Sequence, residues 1–294
     1  MSYLKITFLA VFSFALFACD TGSSVNNKAP GSRKLDASKG CFNESDLMAG
    51  NIVGGTRVNV GDADQKVAVL MIGAKSESLV FCTANAIGRR VLLTAAHCID
   101  TTVAKYSIAL YPSITCESGF KAQRNLVAVQ TVVRNGGYDE SLEIQDRQDD
   151  IALIFLKDDL PADYPIFKLA NPDDLRDSDM YLYGYGRIGG DQGGTGMLRR
   201  ATLLNSGIKI LAASKKVEID QSKGTGICQG DSGGAGFIKV GDDLQILGVN
   251  SYVFKRSSED DLCGGKGVQT MAYAYKVWID EEIEKNGTID SATR

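Results

Sequence analysis

The sequence runs to 294 residues and is 44% hydrophobic, ample for one large all-β domain or two ordinary domains, which excludes a small scaffold held by disulfides alone. A formal net charge of −4 offers no broad basic surface to a phosphate backbone, so nucleic acid is not an expected partner. The single histidine, His97, excludes a histidine-rich metal site, and any imidazole chemistry must pass through it.

In chain order, Lys5 precedes an apolar run from Ile6 to Ala18 broken only by Thr7 and Ser13, which predicts an export signal over residues 1–18. The run is too short to span a bilayer comfortably. It ends in Leu16-Phe17-Ala18-Cys19, which resembles a bacterial lipobox. The resemblance implies cleavage before Cys19, a diacylglycerol on its thiol, and a protein held to the membrane in the periplasm or at the cell surface. Plain signal cleavage with secretion and an uncleaved hydrophobic anchor are the rival readings. From Asp20 to about Gly40 the chain is polar, small and unpatterned, so residues 19–51 are assigned as a solvated tether and propeptide. Export makes disulfides available, and with Cys19 lipidated six of the seven cysteines remain, a parity that allows bridges without fixing their connectivity.

After Ile52 the chain breaks into short apolar or alternating runs separated by turn residues. These are Val67 to Ile72, Val80 to Ile87, Val91 to Ala95, Tyr106 to Tyr111, Leu126 to Val133 and Ile151 to Leu156. The second half continues with Met180 to Tyr185, Met197 to Leu204, Ile208 to Leu211, Leu244 to Val253 and Val268 to Tyr275. Such spacing predicts antiparallel barrels or sandwiches. Only the end reads as helical, with Tyr275, Val277, Trp278, Ile279 and Ile283 among Lys, Asp and Glu. The Gly-rich stretch Gly186 to Gly196 lacks the Lys-Ser/Thr ending of a phosphate loop.

Three segments carry chemistry. Leu93-Thr94-Ala95-Ala96-His97-Cys98 sets the sole His at the end of an apolar run, where a partly buried structural His is an equal reading. Asp149-Asp150-Ile151-Ala152-Leu153 puts carboxylates at the start of another apolar run, where burial is costly without a hydrogen-bonded partner and where an isolated Asp is usually a cap. Gly230-Asp231-Ser232-Gly233-Gly234 flanks a Ser with glycines, which lets the backbone turn tightly and expose both hydroxyl and amides.

In the order His, Asp, Ser, with separations of 53 and 82 residues, these segments resemble the trypsin-like serine protease family from Ile52 to the C-terminal helix. The resemblance implies an all-β fold of two six-stranded antiparallel barrels of the chymotrypsin type with a C-terminal α-helix, over residues 52–294. It implies a serine endopeptidase with protein or peptide substrates and no cofactor or metal. His97 is then the general base, Asp150 its orienting partner, Ser232 the nucleophile, and the amides of Gly230 and Ser232 the oxyanion hole. Asp150 is preferred to Asp149 because the family pattern is Asp-Ile-Ala-Leu. Ile52-Val53-Gly54-Gly55 resembles the N-terminus that these zymogens expose on cleavage, whose amine would pair with Asp231. Leu247 to Val253 resembles the substrate-binding strand, bringing Ser251, Tyr252 and Val253 to the site, with Ser251 bonded to Asp150. The cysteines match the family as Cys82 with Cys98 and Cys228 with Cys263. Cys41 and Cys116 remain, and their pairing would keep the propeptide attached.

Two departures bear on specificity and activation. Asn51 precedes Ile52 where Arg or Lys is usual, so the activating protease is not expected to be trypsin-like. Gly226 stands where trypsin has its basic-selecting Asp and Gly267 keeps the opposite wall small, while Val253 replaces the usual Gly; a Val projecting across the entrance would shorten the pocket and favour small aliphatic P1 side chains. Competing readings are a non-catalytic or zymogen-locked homologue acting as a binding module and an α/β-hydrolase. The string Gly-x-Ser-x-Gly fits the latter, but the order Ser before Asp and His does not.

Overall fold

A computed structural model describes residues 52–74, 79–103, 105–114, 126–187, 189, 196–255, 257 and 261–287. The proposed signal and tether, with Cys19, Cys41 and Asn51, and also Cys116, lie outside the described residues.

Six strands of the first half close into a barrel: β2 (Val69–Ala74), β3 (Leu79–Ala86), β4 (Val91–Thr94), β5 (Lys105–Ala109), β6 (Leu126–Arg134) and β7 (Ala152–Leu156), in the order β2-β3-β4-β7-β6-β5. Closure leaves no free strand edge. β4 and β7 are buried along their whole length, while β6 is half-buried except at the exposed Gln130 and packs Val127, Val129, Val132 and Val133 against that core.

The second half is one antiparallel sheet. Its centre is β9 (Arg199–Leu203), β8 (Met180–Gly184), β12 (Ala235–Val240), β13 (Asp243–Phe254), β14 (Lys266–Met271) and β11 (Lys216–Asp220). To these six the two-residue β1 (Thr56–Arg57) is added beside β9, and β10 (Ile208–Leu211) beside β11. A 3₁₀ turn, Ala272–Tyr275, leads into helix α1 (Lys276–Gly287), which packs Ile279 against the core. This is the two-barrel, chymotrypsin-type architecture that the sequence implied. The run read as a strand to Tyr275 stops at Met271, because the chain turns there to start the helix. β1, β11 and β12 had no counterpart among the sequence-read strands.

Among the described residues two disulfides brace the fold, Cys82–Cys98 and Cys228–Cys263, with Cα separations of 6.1 and 5.2 Å inside the usual range. The halves meet at Tyr185, whose fully buried side chain leaves the second half and donates from its hydroxyl to the carbonyls of Ala68 (3.2 Å) and Tyr111 (2.9 Å) in the first. Burial raises the phenol's pKa, so it stays a donor. Tyr185→Phe leaves those carbonyls without this partner and is expected to cost about 1–3 kcal/mol, read as a lower urea midpoint at unchanged slope.

Candidate active site

His97 lies on the 3₁₀ turn Ala96–Cys98 that follows β4. Its neighbours Ala95, Ala96 and Cys98 are buried and anchor the turn from below, while the imidazole remains 27% exposed. Thr94 ends β4 by donating from its hydroxyl to the Thr83 carbonyl (3.0 Å), which bends the chain towards the turn. Asp150 sits at the mouth of β7, 4% exposed. Its Oδ1 accepts the His97 backbone N–H (2.9 Å) and its Oδ2 accepts from His97 Nδ1 (2.8 Å). The Ser251 hydroxyl donates to that same Oδ2. Burial opposes ionisation of Asp150, but the His97 charge and the hydrogen bonds from His97 and Ser251 outweigh it and hold the carboxyl below its ordinary range. A carboxylate can only accept, so Nδ1 is the nitrogen that donates to it, and in a neutral imidazole the lone pair then falls on Nε2. Asp149 turns the other way through a left-handed backbone (φ 55°) and accepts from Tyr275 Oη at 2.6 Å.

Ser232 faces the same cavity of about 330 Å³ as His97, Ser251, Tyr252 and Val253. Among the described residues no hydrogen bond yet joins Ser232 Oγ to His97 Nε2, a looseness common where no substrate is bound. The Ser232 turn depends on Gly233, whose φ of +78° and whose closeness to Thr94 Oγ1 (2.1 Å from an added Cβ) admit no side chain.

The two amides beside Ser232 are oriented from behind. The Gln229 carbonyl accepts the Arg187 N–H at 2.8 Å, and the Asp231 carbonyl accepts from Gly234 N and Asn250 Nδ2, both at 2.9 Å. In a trans peptide the N–H points opposite to the C=O, so the Gly230 and Ser232 amides are turned away from these partners. Among the described residues neither amide donates to a protein acceptor. Two outward N–H groups flanking a Ser hydroxyl can hold an oxyanion.

Asp231 is fully buried. Its Oδ1 accepts from Gly186 N and its Oδ2 from Cys228 N, both at 2.8 Å. Gly186 leaves room for it, since a Cβ there would lie 2.5 Å from its carboxyl carbon. Desolvation pushes the Asp231 pKa up to about 7, against the pull of these two amides and of Arg199. Arg199 is itself 1% exposed on β9, directly across from Gly184, and burial lowers its pKa to about 10. Ile52 is fully buried within the apolar group that includes Leu182, Ile219 and Ile227, and Val53 O accepts from Gly226 N at 3.0 Å.

The sequence profile of the family described as Trypsin matches residues 52–279. The chain belongs to the trypsin family. It is also similar to Trypsin Tyr p 3.0101 of Tyrophagus putrescentiae, 26% identical over 259 residues that cover 81% of this chain and 82% of that protein. Membership makes it a serine protease domain whose substrates are proteins or peptides.

For a trypsin-family chain, the sequence-read residues divide in two. His97, Asp150, Ser232, Ser251, Tyr252 and Val253 converge on the cavity; Gly226 and Gly267 do not line it. Sequence reasoning passed over Thr83, Arg187, Asn250 and Arg199, whose contributions are a hydroxyl, a backbone N–H, a side-chain amide and a buried charge. Asn250 lies within the run Leu247 to Val253, of which only the last three residues were assigned to the site; the other three lie in no motif, and Arg199, in the run Leu198-Arg199-Arg200-Ala201, offered a weak signal as a charge inside an apolar strand. The grouping of Cys82, His97 and Cys98 has both sulfurs committed to a disulfide, so it is not a set of metal ligands. No helix among the described residues is long and apolar enough to cross a membrane.

Folding raises the Asp231 pKa above its ordinary value, so the folded chain holds that proton more tightly than the unfolded chain. The resulting stabilisation is complete below about pH 4 and is lost as the pH rises through about 7. Asp231→Asn is expected to remove this slope. In urea unfolding of the chain uncut before Ile52, the variant should gain stability relative to the parent between pH 4 and 8, and parallel profiles would count against a strained carboxylate.

Proposed function

We propose that the chain is an exported serine endopeptidase that hydrolyses peptide bonds through an acyl-enzyme, is made as a zymogen activated by cleavage before Ile52, and prefers small aliphatic P1 side chains. The observation that carries this reading is the imidazole of His97, held at Nδ1 by Asp150 and lining the cavity that Ser232 also faces. A Ser hydroxyl is a weak nucleophile near neutral pH and needs such a base. His97 takes the Ser232 proton as Oγ attacks the scissile carbonyl, then delivers it to the leaving amine. The carbonyl oxygen, now negative, is met by the Gly230 and Ser232 amides. Asp150 does not take the proton; it fixes the tautomer and offsets the imidazolium charge, and the Ser251 hydroxyl holds the carboxylate in line.

Activation supplies the cation that Asp231 lacks. Cleavage after Asn51 frees the Ile52 amine, which pairs with Asp231 and fixes the Gly230 amide beside it. An activator selecting something other than Arg or Lys performs that cut. In the same reading residues 1–18 are a signal peptide and residues 19–51 a tether lipidated at Cys19. A Cys41–Cys116 bridge then keeps residues 52–294 attached after cleavage.

Ser232→Ala is expected to abolish peptide hydrolysis and fluorophosphonate labelling of processed protein without changing its unfolding midpoint; retained labelling would remove Ser232 from its role. Asp150→Asn should lower kcat by about 10⁴-fold, the loss established for the equivalent change in this family, because Nδ1 then has a partner that no longer demands its proton.

Processed protein should migrate as one species under non-reducing denaturing conditions and as two after reduction. Cys19→Ser should move it from the membrane to the soluble fraction. Two species without reductant, or unchanged partitioning, would count against the bridge or the lipid respectively.

A further inference from the structure

Gly226 and Gly267 stand at the two positions where small residues would leave a specificity pocket deep, yet the cavity does not reach them. Its walls include Ile227, Cys228, Val253 and Leu262 and stop there. The space beside both glycines is filled by Gln221, the residue that follows β11. A Cβ added at Gly226 would lie 2.3 Å from Gln221 Cδ, and one added at Gly267 would lie 2.5 Å from Gln221 Oε1. The glycines make room for a glutamine of the same chain rather than for a substrate.

That glutamine is fully buried, and its amide is held on three sides. Nε2 donates to the carbonyls of Ile227 (3.0 Å) and Cys263 (2.7 Å), and Oε1 accepts the Ile227 N–H (2.8 Å). Its backbone is pinned as well, Gln221 N to Gly265 O at 3.0 Å and Gly224 N to Gln221 O at 2.9 Å. Both amide hydrogens are spent and one lone pair of Oε1 is taken, so moving the side chain aside would leave buried groups unpaired. We infer that Gln221 is the floor of the P1 pocket and the residue that limits this protease to short, uncharged P1 side chains such as Ala and Val. Gln221 does not itself line the cavity; it fills the space beside Gly226 and Gly267, behind Ile227 and Cys228, into which a long P1 side chain would have to extend. A P1 Lys or Arg meets a floor with no counter-charge, and a buried unpaired cation is strongly disfavoured.

The inference rests on the endopeptidase reading, and the test separates the two. The full chain is used in the processed form whose Ser232 reacts with a small fluorophosphonate, with peptide anilides carrying Ala, Val, Leu, Phe or Lys at P1. The parent chain should show kcat/KM at least about tenfold higher for Ala or Val than for Phe or Lys. Gln221→Ala, which removes Cγ, Cδ, Oε1 and Nε2, should raise the Phe-over-Ala ratio at least about tenfold, while Gln221→Leu, which keeps the bulk, should leave it near the parent value. A parent chain that neither labels nor hydrolyses any substrate overturns the endopeptidase reading and this inference with it. A parent chain that labels but favours Phe or Lys overturns the floor alone, as does a labelled Gln221→Ala with an unchanged ratio. Should Gln221→Ala fail to label, Val253→Gly decides: with Gln221 in place it should still reject Phe and Lys, and ready acceptance of either shows that the barrier was Val253.

Discussion

The constraint on which the site depends is the burial of one carboxylate, Asp231, in a place where water cannot reach it. Burying an anion is tolerated only when donors surround it, and the two that do so, Gly186 N and Cys228 N, come from two segments that must be brought to it. Each has a consequence one residue away. Gly186 is followed by Arg187, whose N–H holds the Gln229 carbonyl and so turns the Gly230 amide outward. Cys228 precedes Gln229 itself and is tied by its disulfide to Cys263, beside the pocket floor. A single charge therefore organises the loop, the oxyanion amides and one wall of the pocket. Even so, the carboxyl is short of positive charge: its pKa is pushed up to about 7, with the buried Arg199 giving only partial relief. On the proposed reading, an amine arriving from Ile52 would supply the missing charge to a site that is otherwise built.

Legibility in the sequence followed how local the signal was. The first barrel was readable because its strands bury continuous apolar runs, such as Val91 to Thr94 and Ala152 to Leu156, bounded by turn residues. β12 was not, because Ala235-Gly236 continues a glycine-rich stretch and Phe237, Ile238 and Val240, interrupted by Lys239, make only a short strand signal. β11, Lys-Val-Glu-Ile-Asp, does alternate, but its charged positions hide a strand whose Val217 and Ile219 are fully buried. The chemistry-bearing residues were readable through the three motifs and their order. What the motifs left out is tertiary: nothing about a Gln in the string Asp-Gln-Ser-Lys says that its amide will close a pocket between Ile227 and Cys263. Gly226 and Gly267 were assigned to the substrate pocket from their place in the family pattern, and that pattern does not show that Gln221 claims the space beside both.

His97 and Ser232 belong to different halves of the molecule, and their registration falls to two adjacent residues of β3. Cys82 is bonded to Cys98, the residue after His97, which fixes the 3₁₀ turn to the strand. Thr83 reaches across the interface. Its N–H donates to Ser232 O at 2.8 Å, its hydroxyl donates to Gly230 O at 3.1 Å and accepts Tyr185 N at 3.2 Å, and its carbonyl accepts Thr94 Oγ1. Successive residues of a strand point to opposite faces, so one dipeptide can hold the His97 turn with one side chain and the Ser232 loop with the next. Imidazole and hydroxyl are thus both positioned from the same short piece of backbone. For proton transfer, which demands heavy atoms within about 3 Å, that shared origin matters more than the stiffness of either half.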